Sequence, residues 1–298
     1  YNVHFIAINF ILNLMREINI FTIKQNELKL FTFLFLMFFS ITAAIITGST
    51  VRDSVFLLNF DRDFLPLMYI LVAILVSVFM KIYKPLSANT NEIKIITYTG
   101  LFFVISLIIF NAKLDGWMIP IFYLWMELII ILSVLQFWIL AGIILNTRQA
   151  KRMFPLITTG GSLAVISSGY CMKPFIKTYG FDSLLILTII FLSLSIFLSQ
   201  FIYPYIKKKN KPHPHKQKKE LKGKPILDPY LKSIAVMIIC SAVITKIIDY
   251  QFKIFAVNTF SNPNDLVNFF GSYYMYTGFA TFLMQSIFSP FILTNYGI

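Results

Sequence analysis

An all-α polytopic membrane protein is the fold class this sequence predicts, on three observations: its composition, the spacing of its apolar runs and the placement of its basic residues. Of 298 residues, 57% are hydrophobic and 13% charged, with a mean hydropathy of +0.75. Soluble domains carry about 25% charged residues, and one soluble core cannot absorb this much apolar surface. Aromatics reach 17%, which suits lipid-facing surfaces and interfacial belts. The two cysteines, Cys171 and Cys240, both lie in apolar runs, so a disulfide framework is excluded. No Cys/His spacing suggests a metal site, and no cofactor is implied.

A spanning helix needs about 20 mostly apolar residues, and its backbone must satisfy its own hydrogen bonds in lipid. The predicted spans, in order, are Leu30 to Leu58, Phe64 to Tyr83, Ile93 to Phe110, Trp117 to Leu145, Phe154 to Met172, Ser183 to Tyr203, Leu231 to Val257 and Leu266 to Leu293. The first, fourth, seventh and eighth exceed the bilayer and must tilt or project. The opening run, Tyr1 to Leu14, is too short to span and suits an interfacial helix. It is equally compatible with upstream sequence preceding a true start at Met15.

The net charge is +13, which in a soluble protein would suggest nucleic acid. Here position decides against that partner. Ten of the 26 basic residues lie between Lys207 and Lys232, in one hydrophilic loop between apolar blocks. With the N-terminus cytoplasmic, inside segments hold nineteen Lys and Arg and outside segments four. That bias predicts a cytoplasmic N-terminus and a cytoplasmic central loop. The His213-Pro214-His215 stretch reads as part of this unfolded loop rather than a metal site.

The resulting organisation is an N-terminal segment over residues 1–29, a six-helix half over 30–203, a basic linker over 204–230, and two helices of a second half over 231–298. Six spans, a basic loop and further spans form the plan of a two-halved secondary transporter with its site between the halves. The chain opens on Tyr and stops after its eighth span, which reads as an incomplete frame.

Charges inside spans are costly in lipid and mark functional candidates. The first span carries Arg52 and Asp53, the fourth Glu127, and the seventh Lys246, Asp249 and Lys253. Arg52 lies roughly 35 Å along its helix from Lys29, Glu127 roughly 32 Å from Arg148, and Lys253 roughly 32 Å from Lys232. The three helices thus bring charge to a similar level, with Asp249 one turn deeper. Arg52 and Glu127 can pair there, or the cations can ring an anion. Snorkelling of Arg52 and Lys253 to headgroups, and a purely structural ion pair, are the competing readings. Thr158 to Gly169, TTGGSLAVISSG, lacks the ending of a phosphate loop. Its Gly160, Ala164 and Ser168, four apart, suit close helix packing.

Four stretches resemble the nucleotide (ATP/ADP) translocase family and its bacterial relatives, within the major facilitator superfamily. They are VRDSVFLLNFDRDFLPLMYILVA from Val51, MELIIILSVLQFW from Met126, QAKRMFPLITTGGSLA from Gln149, and DYQFKIF with FFGSYYMYTG between Asp249 and Gly278. The chain departs from the family pattern at Ile129, where Trp is usual, at Ile139 to Gly142, and at Arg52, where Lys is more common. The resemblance implies a major-facilitator-like fold and exchange of nucleotides across a bacterial inner membrane. Arg52, Lys246 and Lys253 would then neutralise phosphates, because Arg offers a planar fork and Lys a point charge. Tyr250, Gln251 or Trp125 would meet base or ribose. Asp53, Glu127 and Asp249 complete the expected substrate site, the last two pairing with the cations when substrate is absent. A transporter of another organic anion, or a membrane scaffold that does not transport, are the other readings. No nucleophile motif or carboxylate pair at catalytic spacing suggests an enzyme. Oligomeric state is not legible.

Overall fold

The computed structural model describes residues 25–88, 92–181, 183–209, 229–260 and 262–285. The segment before Gln25, with Met15, and the basic stretch 210–228, with the two loop histidines, lie outside the described residues. So do residues 286–298, the last part of the eighth predicted span.

Among the described residues, eight α-helices account for the eight apolar runs. They are α1 (Gln25–Asn59), α2 (Leu65–Ala88), α3 (Glu92–Ala112), α4 (Met118–Ile144), α5 (Thr147–Tyr179), α6 (Ser183–Lys209), α7 (Pro229–Thr259) and α8 (Pro263–Leu283). No strand occurs among the described residues. The protein is an all-α polytopic membrane protein. Among the described residues, six helices, all but α5 and α8, are long and apolar enough to cross a membrane. The other two are of 33 and 21 residues.

Local chemistry sets the breaks between helices. After α1 a 3-10 turn, Arg62–Phe64, reverses the chain into α2. Between α3 and α4, Gly116 adopts φ +51, a left-handed conformation that glycine reaches without a Cβ clash. The start of α5 carries a capping box: the Asn146 side chain receives the backbone of Gln149, and the Gln149 Oε1 accepts from the Asn146 N–H at 3.0 Å. The same helix stops at Gly180, φ +82. In α8, Pro263 occupies the first turn after Asn262, where a missing N–H costs nothing.

The long helix α1 is the hub of the bundle, packed against α4, α5, α6 and α8. Two apolar clusters line it. One surrounds Phe56, Phe122, Tyr123 and Leu128 towards its C-terminal end; the other surrounds Leu34, Met37, Phe137 and Ile157 towards its N-terminal end. Helix α5 joins α1 through small residues. A Cβ on Gly160 or Gly161 would press on the rings of Phe35 and Phe38. Helices α5 and α8 approach still more closely, since a Cβ on Gly169 would sit 2.5 Å from the Gly271 carbonyl oxygen. The packing role expected for the TTGGSLAVISSG stretch is therefore the role it has. Outward, α3 presents Tyr98, Phe102, Ile105 and Ile109, all more than half exposed, a face suited to lipid. Helix α7 packs sparingly on the bundle, chiefly against α1, α2 and α8.

Candidate functional site

Helices α1, α2, α4 and α7 converge on one cluster of charge. Arg52 and Asp53 are neighbours on α1, and the arginine folds back on the aspartate. Both Nε and Nη2 of Arg52 lie 2.8 Å from Asp53 Oδ1. The other arm of the same guanidinium, Nη1, lies 3.1 Å from Glu127 Oε1 on α4. That contact is close enough for an ion pair but not aligned as a hydrogen bond, so Nη1 lacks a hydrogen-bond acceptor among the described residues. Lys246 of α7 donates to the same Glu127 oxygen at 3.2 Å.

On α7, Lys246, Asp249 and Lys253 fall three and four residues apart, which puts them on one face. Lys253 Nζ donates to Asp249 Oδ2 at 2.8 Å and lies 3.2 Å from Asp53 Oδ1. Asp53 Oδ1 thus gathers two nitrogens of Arg52 and the Lys253 ammonium. Tyr69 of α2 closes the circuit by donating to Asp249 Oδ2 at 2.9 Å.

Two tyrosine rings cover the cations. Arg52 Cζ stands 4.7 Å from the Tyr123 ring centre, and Lys246 Nζ 5.1 Å from that of Tyr69. At such distances a ring face attracts a cation, by more where water is excluded. Water is largely excluded here. Arg52, Asp53, Glu127 and Lys253 are each no more than 6% exposed, whereas the Lys246 side chain is 46% exposed. Three cations face three carboxylates, so the cluster is neutral as a whole. Buried charges persist only when paired in this way. The Tyr123 hydroxyl and the Ser54 hydroxyl are buried with no hydrogen-bond partner among the described residues.

The expected site residues divide. Arg52, Asp53, Glu127, Lys246, Asp249 and Lys253 meet in one network. Tyr250 instead packs against the apolar cluster, and Gln251 is exposed on α7. Trp125 turns away from the cluster: its Nε1 donates to Ser106 on α3 at 2.7 Å, and its ring meets Phe102 and Phe103 edge-on. Tyr69 and Tyr123 were not singled out by sequence. Tyr123 lies one turn before Glu127 on the same face, which is the signal that points to it.

Two further clefts are lined by residues outside the network. One, of 450 Å³, opens at the N-terminal end of α5 and is bordered by Glu27, Asn146, Arg148 and Arg152. There Glu27 of α1 accepts from Gln149 Nε2 at 2.9 Å and from Arg152 Nη2 at 3.2 Å, tying the QAKR stretch to α1. The other, of 360 Å³, runs between α1, α5 and α8. Ser162 donates across it to Gln285 Oε1 at 2.8 Å.

The fold and this cluster define a class, a polytopic helical membrane protein with a buried ionic site between helices distant in sequence. The profile of the TLC ATP/ADP transporter family matches residues 110–298, well over half of the chain, and the protein belongs to that family. It is 26% identical over 200 residues to ADP,ATP carrier protein 2, chloroplastic, of Arabidopsis thaliana, covering 61% of this chain and 32% of that protein. The plastidic ATP/ADP-transporter of Solanum tuberosum is 27% identical over 205 residues, 62% of this chain and 32% of its own length. ADP,ATP carrier protein 1 of Chlamydia trachomatis is 22% identical over 213 residues, 63% of this chain and 40% of its own length. The chain therefore spans a third to two fifths of the curated relatives it matches. No solved structure matches it.

Proposed function

We propose that the chain is part of a secondary transporter that exchanges ATP and ADP, or closely related phosphorylated anions, by alternating access. The observation that carries this reading is the neutral, buried network of Arg52, Lys246 and Lys253 with Asp53, Glu127 and Asp249. A polyphosphate competes with carboxylates for the same cations through the same kind of charge-assisted hydrogen bond. When the phosphates bind, the carboxylates are released; when they leave, the carboxylates return. An empty site is thus self-neutralised, and a loaded site is neutralised by its cargo.

The network also joins α7 to the first six helices, since Lys253 and Ala256 are the α7 residues buried most deeply against them. An anion that takes Lys246 and Lys253 from Glu127 and Asp53 loosens that attachment. Differential contact of this kind is what a ligand needs to shift a conformational equilibrium. In this reading residues 30–203 form one six-helix half, 231–298 begin a second, and 204–230 link them. The basic bias of the connecting segments supports a cytoplasmic N-terminus and linker in a bacterial inner membrane. The family and the relatives' names, all ATP/ADP carriers, support the substrate.

The test is uptake of labelled ATP by cells expressing the full-length protein. Uptake should require ADP or ATP on the opposite side of the membrane. Uptake that is absent, or indifferent to internal nucleotide, would overturn the exchange reading.

A further inference from the structure

Four buried side-chain polar atoms among the described residues have no hydrogen-bond partner there: Arg52 Nη1, Ser54 Oγ, Tyr123 Oη and Asn268 Oδ1. Such atoms are uncommon in folded proteins, and each calls for a reason. Ser54 has a local one. The nearby α1 hydroxyls of Thr47 and Thr50 donate to the carbonyl one turn back, at 2.9 and 2.7 Å, and a serine reaches the same kind of acceptor by turning about one bond. Asn268 is only partly buried, and its orphan atom is an acceptor. The two that remain are donors, and they belong to residues in contact. Arg52 Cζ stands 4.7 Å from the Tyr123 ring centre.

Tyr123 is fully buried, and its rigid ring carries the hydroxyl beyond the carbonyls of its own helix, so a serine's local remedy is closed to it. The surroundings are ionic. Lys253 Nζ is 5.8 Å from the ring centre, and Arg52, Lys253, Asp53 and Glu127 all lie within electrostatic reach of the hydroxyl. A donor set beside two carboxylates yet bonded to neither is open to a third acceptor. Those carboxylates are already engaged: Asp53 Oδ1 takes Arg52 and Lys253, and Glu127 Oε1 takes Arg52 and Lys246. Charge explains why the donor is a phenol. Three cations balance three carboxylates, so a fourth cation would leave the empty site charged, and an unpaired buried charge is expensive. A hydroxyl offers an anion one more hydrogen bond without altering that balance.

We infer that Tyr123 is a ligand residue of this site: its hydroxyl, together with Nη1 of Arg52, donates to a non-bridging phosphate oxygen of the cargo. The inference rests on the nucleotide reading above and adds a neutral donor to its three cations. Arg52 Nη1 is ion-paired to Glu127 at 3.1 Å without the alignment of a hydrogen bond, so the incoming oxygen replaces a poor contact with a good one. The ring, already packed over the guanidinium, needs little ordering when the anion arrives.

The test sets ligand affinity beside ligand-free stability, using purified full-length wild type and Tyr123→Phe. The ligands are ATP, ADP and inorganic tripolyphosphate, which carries no base or ribose. Phenylalanine keeps the ring over Arg52 and removes only the hydroxyl. The variant should melt no lower than wild type without ligand, yet bind all three ligands about tenfold more weakly, the effect of one hydrogen bond to a charged group. A residue with a merely structural role would not separate the two readouts in this way. Wild-type affinity in the variant would overturn the assignment, and so would a weaker affinity accompanied by a lower ligand-free melting temperature. A loss for ATP and ADP that spares tripolyphosphate would place the hydroxyl at the nucleoside and overturn it too. In each of these cases binding by wild type leaves the nucleotide reading standing. If wild type binds neither ATP nor tripolyphosphate, that reading falls and the assignment of Tyr123 falls with it.

Discussion

At the scale of single residues, the network turns on Asp53 Oδ1, which holds two Arg52 nitrogens and approaches the Lys253 ammonium. Arg52→Ala would leave the buried carboxylates in excess by one. Removing one partner of a buried pair costs about 3–5 kcal/mol, most of it the stranded charge. Adding Glu127→Ala restores neutrality, because Lys246 and Lys253 then face Asp53 and Asp249. The double variant should therefore be more stable than the sum of the single losses allows, without regaining transport. Thermal unfolding of the wild type, two single variants and double variant measures the coupling; additive losses would show that the two residues do not interact. Tyr123→Phe should behave differently. The ring stays over Arg52, and the hydroxyl lost has no partner among the described residues. Stability should be unchanged or higher by about 1 kcal/mol, since an unsatisfied buried hydroxyl costs that much or more. A clear loss of melting temperature would show that the hydroxyl is satisfied after all.

At the scale of helices, glycine has opposite meanings at two positions. In α5, Gly169 faces α8 so closely that an added Cβ would lie 2.5 Å from the Gly271 oxygen and 2.7 Å from the Met275 nitrogen. Both are backbone atoms, which cannot swing aside as a side chain can. Gly169→Ala should force α5 and α8 apart and cost about 1–3 kcal/mol, the usual penalty of overpacking. In α4, Gly142 has nothing among the described residues within 4 Å of where its Cβ would be. There the same substitution should stabilise by up to about 1 kcal/mol, the difference in helix propensity. Melting temperatures of the two alanine variants should move in opposite directions. Loss at both positions would mean that Gly142 has a neighbour beyond the described residues.

At the scale of the molecule, α7 is held differently from the rest. Its apolar residues, Val236 to Ile248, are mostly exposed, and its buried residues are Ala256 and the ion-paired Lys253, at 2% exposure. The first six helices instead interlock through apolar side chains along α1 and α4. A joint made of ion pairs can be opened by a competing ion, whereas an apolar core cannot. Orientation is tested separately. Nineteen basic residues fall on one set of connecting segments and four on the other. Protease added outside intact cells should therefore leave the stretch between Lys207 and Lys232 uncut. Cleavage there would invert the orientation proposed above.

The helices were legible in the sequence because apolar runs of spanning length have one outcome in lipid. Their boundaries were less so: the fifth helix runs from Thr147 to Tyr179, well beyond the predicted Phe154 to Met172, because Asn146 and Gly180 end it by local chemistry rather than by hydropathy. The charged residues inside those runs were legible for the same reason, since ions in apolar segments demand partners. Comparable depths made pairing of Arg52 with Glu127 possible, and the two meet at 3.1 Å. The tertiary structure alone decided the wiring. That Asp53 is the shared acceptor, and that Tyr69 and Tyr123 roof the cations, depends on how each helix is rotated about its axis. Rotation is set by packing among helices far apart in the chain, and depth along one helix carries no information about it. The same cause turned Trp125 towards α3 and left Gln251 exposed. Thr158 and Thr281 became walls of one cleft only because Gly169 and Gly271 let α5 and α8 close to backbone contact.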